Sequence, residues 1–242
     1  MQFTLDIHCH TVASGHAYST VTENALWAKK MGLTHIGISD HAPAMPGSAG
    51  LYNFTNQWVL PDFIHGVRVF KGVEVNICDY DGKLDLPDWL LKDRMEFVIA
   101  SLHRGVISTK DKIQNTQAIV RAMENPLVGI LGHPGDVNVE IDFKEVVAAA
   151  ARTGTIIEIN NASLLPTSIR FGGDGPIKEI AELCKLYNVP VLASSDAHFY
   201  EHVGRLNEAR DVIKWAGIDE FMVLNTDADI FLKYIKAKRE NL

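Results

Sequence analysis

Strand-length apolar runs alternate with helical patterns along almost the whole chain of 242 residues. This repetition constrains the fold strongly, because consecutive parallel strands need a crossover connection, usually a helix, that then covers their sheet. Seven runs have strand length, and they cover residues 3–10, 35–41, 67–77, 97–103, 128–133, 155–160 and 189–195. A weaker eighth run covers residues 221–225. The number of strands favours closure into an α/β barrel, and an open doubly wound sheet is the alternative.

Helical patterns fill most of the gaps between these runs. They cover residues 22–31, 112–123, 143–152, 177–186, 206–215 and about 228–238. Thr22 is the predicted N-cap of the first helix and Gly32 its stop, and Asp142 is the predicted N-cap of the helix at 143–152. Gly154 and Gly217 fall just beyond helix ends, where glycine is favoured. Since no repeat or linker-like segment divides the pattern, we expect a single domain over residues 1–242.

The first predicted strand ends in two histidines separated by one residue. In an extended strand, side chains alternate between the two faces, so Asp6, His8 and His10 are expected on one face and Ile7 and Cys9 on the other. Two imidazoles side by side suit a shared metal ion. Alone, this pair is weak evidence, because an exposed polar strand face has the same pattern.

Further histidines and carboxylates stand where the later predicted strands end. The carboxyl ends of parallel strands form one rim of a βα fold, so these residues become neighbours in space. Seven of the ten histidines have such positions, and the other three, His35, His65 and His202, are interpreted as structural or exposed. The residues at or near the strand ends are His8, His10, His16, Asp40, His41, Glu74, His103, His133, Asp196 and His198.

The net charge and the chain's hydrophobic pattern narrow the classes of partner. A net charge of −7 and a pI near 5.8 argue against a dedicated nucleic-acid binder. No apolar run approaches the length of a membrane span, and the first ten residues lack the layout of a signal peptide. We therefore expect a soluble cytoplasmic protein with no membrane partner. Its three cysteines form no C-x-x-C motif and are expected to be reduced.

Taken together, these residues resemble those of the PHP (polymerase and histidinol phosphatase) superfamily. The motifs that carry the resemblance are Asp6-Ile7-His8-Cys9-His10-Thr11, His16, Ser39-Asp40-His41, Glu74, His103, His133-Pro134 and Ser195-Asp196-Ala197-His198. The residues around His16 and the run Glu158-Ile159-Asn160-Asn161 are similar to its YcdX-like phosphatase branch. The resemblance covers nearly the whole chain. It implies a distorted (β/α)7 barrel, TIM-like, that holds three metal ions, most often zinc.

The resemblance also implies a set of ligands for each of the three divalent ions. The ligands of the first ion would be His8, His10, Glu74 and Asp196. Those of the second would be Glu74, His103 and His133, and those of the third His16, His41 and His198. Glu74 can bridge two ions because a carboxylate offers two oxygens. Histidine and carboxylate ligands suit zinc, and they accept manganese or iron as well.

Such a site implies a metal-dependent phosphoesterase that hydrolyses a small phosphomonoester. Bound metal brings the pKa of water to about 7, so we expect a metal-activated hydroxide to attack phosphorus. Several cations in one cavity also favour the charge of a phosphate ester and of its transition state. The irregular stretches at 42–61 and 164–175 follow predicted strands, so they are expected to cover the substrate at the same rim.

Three further residues are candidates for supporting roles. Asp40 could orient a ligand such as His41 from behind or shuttle a proton, and it could equally be a structural carboxylate. Arg104 directly follows a candidate ligand and Arg170 lies in a rim loop, so either could bind phosphate with two hydrogen bonds. A solvated surface arginine is the alternative for both.

Two other functions are compatible with these residues. One is a metal-dependent nuclease or nucleotide phosphatase on the same fold, and the short acidic chain argues against the nuclease. The other is a non-catalytic metal-binding protein, which predicts metal uptake without turnover. The sequence leaves open the physiological substrate, the native metal, the general acid for the leaving group and whether the chain forms a homo-oligomer.

Overall fold

Seven parallel strands form one sheet that bends into a nearly closed ring. The computed structural model describes residues 1–168, 170 and 172–240. The strands are β1 (Leu5–Cys9), β2 (His35–Ile38), β3 (Phe63–Ile64), β4 (Val67–Asn76), β5 (Phe97–Ser101), β6 (Ile130–Leu131), β7 (Ile156–Asn160) and β8 (Val191–Ser194). Their order follows the chain, except that β3 pairs only with β4, in antiparallel orientation. Just beyond β8, the carbonyl of Ala197 accepts a hydrogen bond from the backbone N–H of His10 (2.8 Å) and closes the ring. The predicted α/β fold, a distorted (β/α)7 barrel, is confirmed.

The weak eighth run near the end of the chain is not a strand. Two 3-10 turns, Glu220–Met222 and Leu224–Thr226, occupy this segment. The side chain of Asn225 takes the place of a strand backbone there. Its Oδ1 accepts the N–H of Ala193 (2.7 Å) and its Nδ2 donates to the carbonyl of Leu5 (2.9 Å). One amide thus bridges the backbones of β8 and β1.

The short strand β3 was not expected from the sequence. His65 and Gly66 connect it to β4, with φ angles of 54° and 83°. Two consecutive residues of positive φ are typical of the tight turn that joins two antiparallel strands. A strand of two residues is too short for an alternating pattern, so only this turn could have indicated it.

Eight helices surround the sheet within the described residues. They are α1 (Val21–Lys30), α2 (Leu51–Thr55), α3 (Asp88–Asp93), α4 (Lys112–Glu124), α5 (Phe143–Thr153), α6 (Asp174–Tyr187), α7 (Asn207–Ala216) and α8 (Ala228–Glu240). The short helices α2 and α3 were not predicted. None of the helices in the described part of the chain has both the length and the apolar character that a bilayer span requires.

The helix ends follow the predicted capping residues with one exception. The N-cap of α1 is Thr20 and not Thr22, because Thr20 and Glu23 form a capping box that satisfies both backbone N–H groups. Asp142 caps α5 as predicted, with its side chain accepting a hydrogen bond from the third helical N–H. Gly154 and Gly217 have left-handed conformations at the ends of α5 and α7, as predicted.

The lower half of the barrel, at the amino ends of the strands, is filled by apolar side chains. They include Leu5, Ile7, Phe70, Phe97, Ile99, Ile130, Ile156 and Leu192, together with Phe231 and Ile235 of α8. Gly37 and Gly72 make room for the ring of Phe97, since a Cβ atom at either position would lie 2.6 Å or less from that ring. This end of the barrel is therefore a packed core that α8 closes.

Candidate metal centre

An irregularity in β1 turns its two histidines into the barrel. Asp6 and Cys9 pair with residues of β2 that are two positions apart, so three steps along β1 match two steps along β2. Such a bulge interrupts the alternation of side chains. His8 and His10 consequently face the interior, whereas Asp6 lies on the same side as Cys9. The prediction that Asp6 shares a face with the histidines is wrong. Asp6 instead accepts two backbone hydrogen bonds from residues beyond β8 (3.1 and 2.8 Å).

Glu74 of β4 is fully buried at the centre of the upper half of the barrel, among five imidazole nitrogens. Around its Oε1 lie the Nε2 atoms of His133 (3.0 Å), His8 (3.4 Å) and His103 (3.4 Å). Around its Oε2 lie Nδ1 of His41 (2.6 Å) and Nε2 of His10 (3.6 Å). The two oxygens of one carboxylate therefore face two different sets of imidazoles.

Asp196 approaches the same cluster from the segment after β8. Its Oδ1 lies 3.1 Å from Nε2 of His10 and 3.6 Å from Nε2 of His8. Its Oδ2 accepts hydrogen bonds from Asn160 (3.2 Å) and from the guanidinium of Arg170. One oxygen of Asp196 thus faces His8 and His10, while the other accepts hydrogen bonds from Asn160 and Arg170.

The remaining histidines form the outer edge of the cluster. The ring of His16 stacks on His41 and His198, with centroids 4.9 and 4.8 Å apart. Among the described residues, the nitrogens of His10, His41 and His198 form a group within 4.8 Å. His16 lies beside this group rather than within it. The structure thus brings all nine predicted ligands to one rim, with His16 the most exposed of them.

Hydrogen bonds behind the cluster determine which ring nitrogen faces it. Nδ1 of His8 lies 2.5 Å from the carboxylate of Glu158, and Nδ1 of His103 lies 2.8 Å from Oδ1 of Asn76. Because both partners accept hydrogen bonds, each ring has a proton on Nδ1 and presents Nε2 to Glu74. This arrangement is usual behind the histidine ligands of metal ions, where it fixes the tautomer and the ring orientation.

Asp40 lies behind the rings and not against one of them. Its oxygens accept hydrogen bonds from the N–H and hydroxyl of Thr11 (2.6 and 2.7 Å) and from the hydroxyl of Ser14 (2.6 Å). Sequence reasoning assigned no role to Ser14, Asn76 or Glu158. Asn76 ends β4 and Glu158 lies in the middle of β7, and a polar residue within a largely apolar, buried strand is the signal that could have found them.

Three buried polar atoms at the cluster indicate whether a metal ion would fit among these residues. Nε2 of His8 has no hydrogen-bond partner among the described residues, and Nδ1 of His41 and Oε2 of Glu74, although 2.6 Å apart, form no hydrogen bond with each other or with any other described residue. A buried polar atom without a partner costs about 1–3 kcal/mol. All three can present a lone pair to a cation, and histidine nitrogen with carboxylate oxygen is the donor set that zinc prefers. The residues therefore fit a divalent metal ion.

The backbone beside the cluster is strained at two predicted ligands. His133 has a φ of 27° and Asp196 a φ of 52°. Residues other than glycine rarely adopt such angles, and those that do are concentrated at functional sites. The N–H of His133 donates to Glu158, which holds this unusual conformation in place.

The pKa values show which groups are charged at neutral pH. Burial alone would raise the pKa of Glu74, yet its neighbours His41 and His8 hold this pKa well below its usual range. Arg170 and His8 likewise outweigh burial and lower the pKa of Asp196. Burial lowers the pKa of His103 to about 4. Ionised carboxylates therefore lie beside the neutral ring of His103, and both kinds of group can present a lone pair to a cation.

The pKa of His8 is shifted in the opposite direction. Burial opposes the charged form of this ring, but the carboxylates of Glu158, Glu74 and Asp196 raise its pKa well above the usual value. Burial together with His198 and His41 lowers the pKa of His10 well below that value. A proton therefore competes with a cation for His8 but not for His10.

The cluster forms the floor of a cavity of about 570 Å³. Side chains beyond the predicted ligands that line it include Met45, Arg104, Asp136, Leu165, Arg170 and His202. Both rim loops contribute, as expected, although residues 169 and 171 of the second lie outside the described residues. His202 is exposed, as predicted, and it also lines the cavity, whereas Asp136 was not predicted.

The two predicted phosphate-binding arginines occupy different environments. The guanidinium of Arg170 is bonded to Asp196, and its Nε donates to the hydroxyl of Ser163 (3.1 Å). Arg104 is exposed at the cavity and forms no ion pair with any residue that the structure describes. Of the two, Arg104 is the one whose guanidinium is free to bind an anion.

The chain matches protein-family models and curated relatives along its length. The family model of the PHP domain matches residues 6–162, and that of the PHP-associated region matches residues 178–212. A probable phosphatase from Thermoanaerobacter sp. (strain X514) is 48% identical over 100% of this chain and 98% of its own length. A probable phosphatase from Acetivibrio thermocellus is 40% identical over 100% of this chain and 99% of its own length.

A solved structure has the same fold at low sequence identity. It is a histidinol phosphate phosphatase from Lactococcus lactis complexed with zinc, L-histidinol and phosphate. The TM-score is 0.67 at 19% identity, over 89% of this chain and 94% of that one. Because the family model covers most of the chain and the relatives match along its whole length, the protein belongs to the PHP domain family.

Proposed function

We propose that this protein is a metal-dependent phosphoesterase that hydrolyses a small phosphomonoester at a site for three divalent ions, with zinc as the preferred metal. One observation carries the proposal: the two oxygens of the buried Glu74 face separate sets of imidazole nitrogens at the floor of an open cavity. Two relatives along the whole chain are named probable phosphatases, which supports the reaction type.

Three groups of candidate ligand atoms lie within 4.8 Å of one another, His8 with His10 and Glu74, His41 with Glu74 and His103, and His10 with His41 and His198. These groups support several adjacent ion positions, and the assignment of ligands to each ion follows the family resemblance. His8, His10, Glu74 and Asp196 would hold the first ion, and Glu74, His103 and His133 the second. His16, His41 and His198 would hold the third, at the outer edge of the cluster. Manganese or iron could replace zinc with the same ligands, because imidazole and carboxylate accept all three metals.

Divalent ions bound there would supply a nucleophile at neutral pH and neutralise the phosphate oxygens. The residues of the chain do the positioning. Glu158 and Asn76 orient the rings of His8 and His103, so that their Nε2 atoms face the cavity. The free guanidinium of Arg104 would bind phosphate oxygens, while Arg170 holds Asp196 in place.

The cavity favours a small substrate. Its volume of about 570 Å³ is within the range of sites for single small ligands. Met45 and Leu165 provide apolar surface next to Arg104 and Asp136, so the alcohol released by hydrolysis would contact both apolar and charged side chains.

We also propose that residues 1–242 act as one barrel domain. The predicted ligands come from both segments that the family models match, with His8 to His133 in the first and Asp196 and His198 in the second. Limited proteolysis of the metal-loaded protein should leave these segments associated. Release of a folded fragment that keeps all the metal would contradict this part of the proposal.

The direct test is hydrolysis of 4-nitrophenyl phosphate by the purified protein. A chelator should abolish the activity, and added zinc or manganese should restore it. Metal uptake without turnover of any member of a panel of phosphate monoesters would support the non-catalytic alternative. Faster degradation of single-stranded DNA than of any monoester would support the nuclease. Either result would overturn the proposal.

A further inference from the structure

Ser14 is a fully buried residue at which hydrogen bonds from two strand ends meet. Its hydroxyl oxygen lies 3.0 Å from Nδ1 of His10 and 2.6 Å from Oδ1 of Asp40. It also accepts the backbone N–H of His41 at 3.1 Å. One hydroxyl therefore contacts the ring of one predicted metal ligand and the backbone of another.

The hydroxyl has a single proton, and its neighbours decide where that proton goes. An ionised carboxylate can only accept a hydrogen bond, and the distance of 2.6 Å to Asp40 is typical of a charge-assisted O–H···O bond. The alternative, donation to Nδ1 of His10, would leave two oxygens 2.6 Å apart with no proton between them. The hydroxyl proton therefore goes to Asp40, and Nδ1 of His10 must be the donor at 3.0 Å.

We propose that Ser14, held by Asp40, is a positioning residue that fixes the proton of His10 on Nδ1 and so directs the lone pair of Nε2 at the candidate metal centre. Nε2 of His10 lies 3.1 Å from Oδ1 of Asp196 and 3.6 Å from Glu74. In the metal-free protein, Oδ1 of Asp196 is the competing acceptor for a proton on Nε2, but Arg170 compensates the charge of this carboxylate, so we expect the contact with Ser14 to prevail. This inference gives Asp40 its role through Ser14, and not through direct contact with the ring of His41.

The position of Ser14 is set by the fold around it. Thr11 donates two hydrogen bonds to Asp40 and caps the 3-10 turn Val12–Ser14. Gly15 follows with a φ of 77°, and a Cβ atom there would lie 2.1 Å from the carbonyl oxygen of Gly47. The rim loop that contains Gly47 thus packs directly against the turn. The position of the turn that carries Ser14 is therefore set by contacts outside the cluster.

The contacts of Ser14 also predict which metal positions depend on it. His10 is a proposed ligand of the first ion and His41 of the third, and both touch Ser14. Glu158 plays the corresponding part for His8 and for the backbone of His133. Loss of the Ser14 hydroxyl should therefore weaken the first and third positions more than the second, whose ligands it does not touch.

The inference rests on the proposed metal-dependent function, but its first test needs neither a metal nor a substrate. Nitrogen-15 NMR of the histidine-labelled, metal-free protein at pH 8 reads the tautomer of each ring. We expect His10 to carry its proton on Nδ1 and to keep it there when zinc is added. A proton on Nε2 of His10 in the metal-free protein would overturn the proposal, whatever the enzyme hydrolyses.

Two substitutions provide the second test. Ser14→Ala should convert His10 to a mixture of tautomers and weaken metal binding at two of the three positions by 10- to 100-fold. Asp40→Ala should shift the tautomer in the same direction, because the Ser14 hydroxyl can then donate to His10. Ser19→Ala is the matched control, since Ser19 is also buried and accepts only a backbone N–H, from Tyr200 (2.8 Å), among the described residues.

The control variant should keep the wild-type tautomer and metal content. Unchanged His10 spectra and unchanged metal content in Ser14→Ala would contradict the proposal. If Ser14→Ala does not fold, the tautomer of His10 in the spectrum of the metal-free wild-type protein still supports or overturns the proposal. If the tautomer is as expected but no phosphate ester is hydrolysed, the proposed function fails and the positioning role stands.

Discussion

The two ends of this barrel are built from the same strands and have opposite chemistry. In the lower half, Leu5, Ile7 and Phe97 fill the interior, and α8 closes it. In the upper half, His8, His10 and Glu74 fill the same space a few residues further along. Burial of apolar surface is favourable, whereas burial of polar and charged groups is costly unless partners compensate it. The lower half therefore stabilises the fold, whereas the buried polar groups of the upper half are those that a bound cation would compensate. Substitutions in the lower half should therefore change stability, and substitutions in the upper half should change metal binding.

The largest effect is expected from Glu74→Ala in the upper half. It should remove metal from two positions at once and lower kcat/KM for an aryl phosphate by at least about 10³-fold. Elemental analysis and steady-state kinetics measure the two losses. Glu145→Ala, which removes an exposed carboxylate paired with Arg152, should change neither quantity. Full metal content in Glu74→Ala would show that this carboxylate is not a ligand.

Phe97→Ala tests the lower half. Loss of a fully buried ring should reduce the free energy of unfolding by about 3–5 kcal/mol, while the folded fraction keeps its metal. Denaturant unfolding measures the change. Phe221→Ala is the control, since that ring is 74% exposed, and it should have little effect. A loss of metal without a loss of stability would mean that the two ends of the barrel do not have separate roles.

The stability of the metal-free protein should depend on pH, because the pKa of His103 differs between the folded and the unfolded chain. The pKa of His103 falls from its ordinary value of 6.5 to about 4 on folding, because the ring is buried. Between these values the unfolded chain binds a proton that the folded chain does not, so stability is lost as the pH falls. Between pH 7 and pH 5 this residue alone should lower the free energy of unfolding by about 2 kcal/mol.

Urea unfolding of the metal-free protein at both pH values measures this loss. In His103→Gln the loss should be smaller by about the same amount, because glutamine does not titrate. His8, with its raised pKa, acts in the opposite direction and is common to both proteins. An equal loss in the variant and the wild type would contradict this assignment.

The smallest effect is expected from His16→Ala, at the exposed edge of the upper half. It should empty only the third position, so that one metal ion of three is lost and the other two remain. His65→Asn is a control at a histidine in the turn before β4, where asparagine tolerates the positive φ. Loss of more than one ion in His16→Ala would show that the three positions are not independent.

The fold could be predicted well from the sequence because its signals are local. Apolar runs, helix caps such as Asp142 and glycines such as Gly154 specify strands and helix ends by short-range chemistry. The bulge in β1 could not be predicted this way. It depends on the register between β1 and β2, and strict alternation placed Asp6 on the wrong face. The role of Asn225 is equally non-local, since its amide bridges residues of the first and last strands.

The sequence predicted which histidines and carboxylates lie together at one rim, but not the contacts that support them. The ligands stand at strand ends, which topology alone brings together. Ser14, Asn76 and Glu158 gain their roles from hydrogen bonds between segments far apart in the chain, such as the 150 residues that separate His8 from Glu158. The environments of Arg104 and Arg170 differ for the same reason, because only the folded chain places one of them against Asp196.

The most direct test of the account is an anomalous-scattering map of zinc-loaded crystals, measured at the zinc absorption edge. Three peaks are expected at the upper end of the barrel, two of them at bonding distance, about 2.0–2.2 Å, from the carboxylate oxygens of Glu74. The third should lie among His16, His41 and His198. A map with no peak beside Glu74 would contradict the claim that the buried carboxylates and histidines of the barrel form a metal site.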